Sequence, residues 1–219
     1  MNDYKKSLKV NNEKDSKQNK RNFYKTYEKG KGDKKIYKGS TTAQLELSQN
    51  LYLNGVSCFV INDENKVLIE RRANTKLTAN EIDLCSGHTD NNETPTQAMF
   101  REYLEELHSG TEEEKQIARE EAIKGLKKIE ELDLTFKNKG KERKFFIQFY
   151  MLKTKMKQFT PQAEEIQSIE WIPYQECFEL IRQGKTKFPY DKRYEKMFME
   201  IEEYIKGKNI ENNKDINIK

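Results

Sequence analysis

The sequence predicts an α+β domain in which a mixed β-sheet is sandwiched between α-helices, an α/β/α arrangement, with an extra helix at the C-terminus. Short segments rich in β-branched and aromatic residues alternate with longer segments that carry apolar residues at helical spacing. Turn residues separate several of the β-rich segments, as in hairpins. The 219 residues, with an aromatic content of 11%, suffice for one domain with a full core, although the hydrophobic fraction is only 34%.

Composition divides the chain into a basic leader (residues 1–45), a domain (46–206) and a C-terminal tail (207–219). Residues 1–38 contain thirteen Lys or Arg against five Asp or Glu. Because the leader and the tail are polar and lack aliphatic periodicity, we expect both to be flexible. A polybasic arm can hold RNA through phosphate contacts, but no aromatic stacking platform accompanies these lysines. RNA binding is therefore an alternative to a simple soluble leader.

The first predicted elements form a β-hairpin. Residues 56–61 are rich in β-formers, and residues 62–65 supply the turn. Residues 66–70 then resume the strand with apolar side chains at alternate positions, Val67 and Ile69. Two predicted strands thus precede the longest motif of the chain.

A helix is predicted to begin at Thr94. Thr94 suits the N-cap, and Pro95 suits the first helical position because its missing N–H would be unpaired there anyway. Gln97, three residues after Thr94, completes a capping box. The start of this helix is therefore defined by local signals alone.

The later elements follow from propensity and periodicity. Residues 111–131 consist mainly of strong helix formers, interrupted by Gly125, and are predicted to be helical. Residues 132–136 and 145–152 bracket a charged, glycine-containing loop and predict a second hairpin. The remaining predicted elements are a strand over residues 170–172 and helices over residues 174–183 and 190–206.

Three carboxylates share one face of the helix that begins at Thr94. Glu102, Glu105 and Glu106 stand at i, i+3 and i+4, so they project together and repel one another unless a positive charge lies among them. Oxygen-only ligands favour Mg²⁺ or Mn²⁺, ions that are commonly shared between carboxylates and substrate phosphates. The pattern predicts metal-assisted attack of water on a bridging diphosphate, with the adjacent Arg101 orienting the acids.

The helix belongs to a longer pattern, GHTDNNETPTQAMFREYLEE, which begins at Gly87. It resembles the signature of the Nudix hydrolases, G-x5-E-x7-R-E-U-x-E-E-x-G-U, in which U is apolar. Every position up to Glu106 matches, with Tyr103 as the first U. His108 stands in place of the final glycine and Ser109 in place of the last apolar residue. We expect the changed ending to shift the helix exit, with the nearby Gly110 supplying the turn.

The resemblance implies the mixed-sheet Nudix fold and hydrolysis of a nucleoside diphosphate linked to another group, with Mg²⁺ (or Mn²⁺) as cofactor. It implies that the metal ligands are Glu102, Glu105 and Glu106. It implies that Glu93 and Arg101 fix those ligands in place, and that Gly87 lies in a loop whose backbone turns close to the metal.

A general base in this family usually comes from outside the motif. Glu164 or Glu165, in the loop before the predicted strand at residues 170–172, is a candidate by analogy of position. A surface acid in a loop is an equally good interpretation of either residue.

Two other functions remain as alternatives. Isopentenyl diphosphate isomerases, distant Nudix relatives, carry Cys-Gly-His at the start of the motif, but alignment on Gly87 places Ser86 at the cysteine position, and the chain has only two histidines. We therefore interpret His88 as a loop residue that bonds locally or touches a substrate phosphate. A non-catalytic Nudix module that binds a ligand or RNA is the second alternative, although such modules commonly lose motif carboxylates that this chain retains.

The sequence also predicts where the protein resides. It has no apolar stretch near the roughly 18 residues of a membrane span and no secretory signal. Three cysteines, Cys58, Cys85 and Cys177, form no metal-ligand spacing and leave an odd thiol. We expect a cytoplasmic protein with reduced cysteines that acts on a small nucleotide diphosphate and has no membrane partner; a homodimer is an alternative to a monomer.

Overall fold

A computed structural model describes residues 24–41, 51–74, 79–138 and 141–207 of the chain. These residues form one mixed sheet with helices packed on both faces, so the predicted α+β class and layering are confirmed. The strands are β1 (Tyr24–Lys29), β2 (Lys35–Thr41), β3 (Tyr52–Ile61), β4 (Lys66–Arg72), β5 (Ile82–Asp83), β6 (Cys85–His88), β7 (Lys127–Asn138), β8 (Lys141–Lys153) and β9 (Ile166–Pro173). The helices are α1 (Pro95–Leu107), α2 (Glu112–Gly125), α3 (Tyr174–Arg182) and α4 (Tyr194–Ile205).

Strand β3 is the centre of the sheet. It pairs in parallel with β8 along its whole length and antiparallel with β6 through residues 55–58. At its two ends it also contacts β1 and β4, and β9 pairs with the other edge of β4. Because both faces of β3 are covered, residues 55–61 are all buried, as expected of a strand inside a layered fold.

Two apolar cores lie on opposite faces of the sheet. On one face, α1 buries Met99, Tyr103 and Leu107 completely, because their i, i+4, i+8 spacing places them on one side of the helix. On the other face, Phe178 of α3 and Phe198 of α4 stack with their ring centroids 4.0 Å apart. The first core fixes α1 directly against β6 and β3, and so determines where the motif carboxylates point.

Composition predicted a flexible leader over residues 1–45, but the structure has a β-hairpin within this segment. Strands β1 and β2 pair with each other, and β1 joins the main sheet through Thr26 opposite Leu53 and Tyr27 opposite Tyr52. Alternate side chains of β1 are buried at its start, while its lysines face outward and gave the segment the composition of a solvated arm. Residues 1–23 lie outside the described part, and the outer limits of the domain stay predictions.

The long helix predicted over residues 111–131 is shorter in the structure. Helix α2 ends at Gly125, and residues 127–131 belong to β7, which pairs with β8. Pairing with a neighbouring strand thus outweighs the helix propensity of Lys and Glu here, as tertiary contacts often do. The predicted second hairpin is confirmed, with strands that extend further toward its tip than expected.

Among the described residues, no helix combines the length and apolar character needed to cross a membrane. All three cysteines are buried and free.

Replacement of Tyr24 by Ala is expected to lower the free energy of unfolding by about 2–4 kcal/mol, because the ring is only 9% exposed and packs against His88. Tyr37→Ala is the matched control in the same hairpin; its ring is 57% exposed, and the expected change is within about 0.5 kcal/mol. Urea denaturation of both variants measures the difference. Equal losses would show that the Tyr24 ring does not anchor the hairpin.

Candidate functional site

Gly87 lies where β6 passes closest to α1. It stands opposite Val56 in the sheet, in a strand rather than in the predicted loop. A Cβ atom built on Gly87 would overlap the carboxyl group of Glu102. A side chain at this position would therefore displace the Glu102 carboxyl group, and a left-handed turn plays no part in the choice of glycine.

The start of α1 is fixed by the capping box that the sequence predicted. The Thr94 hydroxyl accepts a hydrogen bond from the Gln97 backbone N–H at 3.3 Å, and the Gln97 side chain accepts one from the Thr94 N–H at 2.8 Å. Pro95 occupies the first helical position. Because the capping box fixes the first turn of α1, the three carboxylates about two turns later keep their positions around the helix.

Arg101 links the acidic side chains of the motif. Its Nε and one terminal nitrogen donate to the two carboxyl oxygens of Glu93 at 3.1 and 2.7 Å. Its other terminal nitrogen donates to Glu102 at 2.8 Å and to Glu105 at 3.0 Å. A further bond, 3.0 Å long, reaches the backbone carbonyl of His88 in β6. Burial alone would lower the pKa of Arg101, but these carboxylates outweigh it and raise the pKa, so the guanidinium stays charged.

The three motif carboxylates differ in burial. The Glu105 side chain is 55% exposed, whereas that of Glu102 is 14% exposed and Glu106 is only 6% exposed. Glu106 accepts a hydrogen bond from the Ser86 backbone N–H at 3.0 Å. The structure thus brings the three acids together at the junction of α1 and β6, with Glu106 innermost.

Burial and mutual repulsion raise the pKa values of two of the acids at this junction. Burial raises the pKa of Glu102 to about 7, even though Arg101 works in the opposite direction. Burial and the nearby Glu70 and Glu102 raise the pKa of Glu106 well above its usual range. None of the hydrogen bonds of Arg101 described above reaches Glu106. Several carboxylate oxygens therefore lie close together, and Arg101 does not bind all of them. Hard divalent cations bind such sets of oxygen atoms.

Two buried acids near the site were not recognised from the sequence. Asp83 is 1% exposed and accepts bonds from Arg72 at 3.0 Å, Lys187 at 2.8 Å and the Ser86 hydroxyl at 3.1 Å. Glu70 is 3% exposed, and one of its carboxyl oxygens has no hydrogen-bond partner among the described residues. The sequence signal that could have identified Glu70 is its place at the end of the apolar run of β4. Charged residues are rarely buried there without a partner.

His88 lies between two aromatic rings. Its ring centroid is 5.5 Å from that of Tyr24 and 5.4 Å from that of Phe145. Burial, with the positive charges of Lys187 and Arg143, lowers the pKa of His88 to about 3, so the ring is neutral at physiological pH. Its contribution to the junction is the backbone carbonyl that binds Arg101.

The helix exit differs from the shifted exit that the sequence predicted. Helix α1 ends at Leu107, and His108 is fully buried, with Nδ1 3.0 Å from a Glu114 carboxyl oxygen. The backbone of His108 is not left-handed, with φ of −131°. Gly110 has no positive φ either; a Cβ there would meet the side chains of Glu114 and Thr160. Packing of the His108 ring therefore replaces the glycine turn.

The loop that contains Glu164 and Glu165 adjoins the end of α1. The Gln162 N–H donates to the backbone carbonyl of Glu106 at 2.8 Å, and the Glu165 carbonyl accepts from Ala73 at 2.9 Å. The loop is thus tied both to the motif helix and to the end of β4. Whether either acid serves as a base stays a prediction.

Comparison with family models matches residues 51–194 to the NUDIX domain family. The comparison with curated proteins gives no match. Among solved structures, DR0079 from Deinococcus radiodurans is similar over 82% of this chain and 97% of its own, with 17% identity and a TM-score of 0.53, which supports the fold. The MutT protein from Methanosarcina mazei Go1 matches 72% of this chain and 96% of its own, with 18% identity and a TM-score of 0.47.

In buffer containing a chelator, we expect the free energy of unfolding to decrease as pH rises from about 4.5 to about 7. The pKa of Glu102 is about 7 in the folded protein against an ordinary 4.5, so in this interval the folded state binds a proton that the unfolded state lacks. Glu102→Gln should make this fall in the free energy of unfolding smaller, by up to about 3 kcal/mol at about pH 7. Glu112→Gln, whose side chain is 84% exposed, is the control. Parallel curves for all three proteins would contradict the prediction.

Proposed function

The chain belongs to the NUDIX domain family and is a hydrolase acting on diphosphate bonds, and we propose that it uses Mg²⁺ or Mn²⁺ to cleave the linkage in a nucleoside diphosphate joined to another group. The observation that carries this proposal is the convergence of Glu102, Glu105 and Glu106 at the place where Gly87 leaves room for a carboxyl group. A solvated surface acid would not lie against the backbone of a strand, as the 14% exposed Glu102 side chain does at Gly87.

In this proposal, Glu102, Glu105 and Glu106 hold the cation through oxygen atoms. When bound, the cation would supply charge stabilisation to the substrate phosphates and lower the pKa of a coordinated water. Arg101 keeps Glu102 and Glu105 in one arrangement, since its planar guanidinium binds both acids and Glu93 at once. Ser86 orients Glu106 through its backbone N–H.

Positive side chains near the carboxylates suit a diphosphate substrate. Lys187, Arg143 and Arg72 all lie close enough to His88 to lower its pKa electrostatically. We propose that they bind phosphate oxygens and reduce the repulsion between the anionic substrate and the acidic helix face. The neutral ring of His88 and its neighbours Tyr24 and Phe145 would form an apolar wall beside them.

The proton of the attacking water needs an acceptor. We propose Glu164 or Glu165 for this role because their loop is hydrogen-bonded to the end of α1. RNA binding through the basic leader, a homodimer and a cytoplasmic location stay predictions. The isomerase resemblance gains no support here, since Ser86 is engaged with Asp83, Lys187 and Glu106.

Glu105→Gln and Glu106→Gln are each expected to lower kcat by several orders of magnitude, because each removes a proposed metal ligand. Neither should reduce thermal stability much in metal-free buffer, since each relieves repulsion between neighbouring carboxylates. The assay uses Mg²⁺ or Mn²⁺ with ADP-ribose, NADH, dinucleoside polyphosphates, dNTPs, capped RNA and isopentenyl diphosphate. Glu112→Gln is the control for loss of an exposed acid. Unchanged turnover in both site variants would overturn the assignment, and isomerised product would favour the alternative enzyme.

Arg101→Lys is expected to lower kcat by about 10- to 100-fold and to weaken the apparent affinity for Mg²⁺, because Lys cannot bind Glu93, Glu102 and Glu105 simultaneously. Kinetics at several Mg²⁺ concentrations separate the two effects. Arg119→Lys, on the exposed face of α2, is the matched control. Equal kinetics for Arg101→Lys and the wild type would mean that charge alone suffices at this position.

A further inference from the structure

Glu70, Cys85 and Glu106 come together beneath the motif carboxylates. One potential ligand atom from each of these residues lies within 4.8 Å of the other two, and all three residues are buried. They come from three separate elements, β4, β6 and α1, so the cluster is formed by the tertiary fold. None of the roles described above accounts for Glu70 or Cys85.

One carboxyl oxygen of Glu70, a member of this cluster, is buried without a hydrogen-bond partner among the described residues. The residue is 3% exposed, and the oxygen is Oε1. A buried carboxyl oxygen without a partner carries a large desolvation cost, so proteins rarely leave one unsatisfied without a reason. Nearby Asp83 and Glu102 add further negative charge, and the positive side chains closest to Glu70 already bind Asp83. Among the described residues, no ion pair joins Glu70 or Glu106 to a Lys or Arg side chain of its own.

We propose that Glu70, Cys85 and Glu106 form a second cation site, deeper than Glu102 and Glu105, that takes a divalent ion able to bind sulfur, such as Zn²⁺ or Co²⁺. Ligand bonds of about 2.0–2.3 Å at tetrahedral angles hold the ligand atoms of one ion roughly 3.3–3.8 Å apart, so an ion would draw the three side chains inward from any separation near the 4.8 Å limit. The sulfur ligand distinguishes this site from the oxygen-only set proposed for Mg²⁺. A carboxylate has two oxygens, so Glu106 can contribute to both sites.

Binding at this site changes the protonation of Cys85. Burial raises the pKa of the Cys85 thiol well above its ordinary value, so the sulfur is protonated before the ion arrives. On binding, the S–H bond breaks, a sulfur–ion bond forms and the proton passes to solvent. The ion compensates the charge of Glu70 and Glu106 and anchors α1 to β4 and β6. The site shares Glu106 with the proposed hydrolase site, but its occupancy is measurable without substrate.

The experiment is a titration of the full-length, chelator-stripped protein with Co²⁺ under reducing conditions, followed by sulfur-to-cobalt charge-transfer absorption. We expect the band in the wild type and its loss in Cys85→Ser. Cys58→Ser is the matched control, because Cys58 is also buried and stands opposite Cys85 in the sheet without belonging to the cluster. A wild type without the band, or a band that survives in Cys85→Ser or disappears in Cys58→Ser, would overturn the assignment.

Glu70→Gln provides an independent measurement. It should weaken Co²⁺ and Zn²⁺ binding at least about tenfold and reduce the rise in Tm that Zn²⁺ produces in the wild type. In chelator it should unfold at the same or a higher temperature than the wild type, which confirms that the variant is folded. Glu81→Gln removes an exposed acid just before β5 and is the control. Wild-type affinity in Glu70→Gln would exclude Glu70 as a ligand.

Glu105→Gln separates this inference from the proposed function. Glu105 lies outside the cluster, so its variant should keep the cobalt band while losing Mg²⁺-dependent turnover. Loss of turnover with no band in the wild type would reject the deeper site and leave the proposed hydrolase mechanism intact. A cobalt band in the wild type together with unchanged turnover in Glu105→Gln would support the deeper site and contradict the proposed role of Glu105.

Discussion

The hydrogen bonds of Arg101 are the interaction on which the site depends. One guanidinium binds acids from the loop before α1 and from two positions of α1 itself, and it reaches a backbone carbonyl of β6. Without it, the like charges of Glu102 and Glu105 would repel each other on α1, and the bond from Arg101 to the His88 carbonyl of β6 would be lost. The same side chain therefore stabilises the junction and gives the acids a fixed geometry, so folding and ligand placement cannot be optimised separately here.

Local signals in the sequence were sufficient for the part of the site that lies on one helix. The capping residues Thr94 and Gln97 define the start of α1, and helical periodicity alone brings Glu102 and Glu106 to one side. The apolar stripe of α1 was predictable for the same reason. Each of these features depends on residues at most a few positions apart, where spacing translates directly into geometry.

Contacts between distant segments were not predictable in this way. Lys187 and Asp83 are 104 positions apart and meet only because β5 lies beside the segment after α3. Glu70 ends an apolar run in the sequence, and only the tertiary fold brings its carboxyl group near that of Glu106 in α1. The hairpin of β1 and β2 was missed because its lysines resemble those of a solvated arm, whereas its pairing with β3 depends on residues more than twenty positions away. Helix propensity likewise misled at residues 127–131, where β8 decides the conformation.

The buried His108 has a consequence for the loop that follows β8. Through its ring and the adjacent backbone, the end of α1 is joined to this loop: Thr160 donates to the Leu107 carbonyl at 3.0 Å, Ser109 donates to the Thr160 carbonyl at 2.8 Å, and the two segments form a parallel bridge. A glycine exit would let helix and loop vary in length independently. Here an insertion or deletion near residue 160 would be transmitted to Glu106 as a displacement, so the spacing of this loop is tied to the position of the innermost carboxylate.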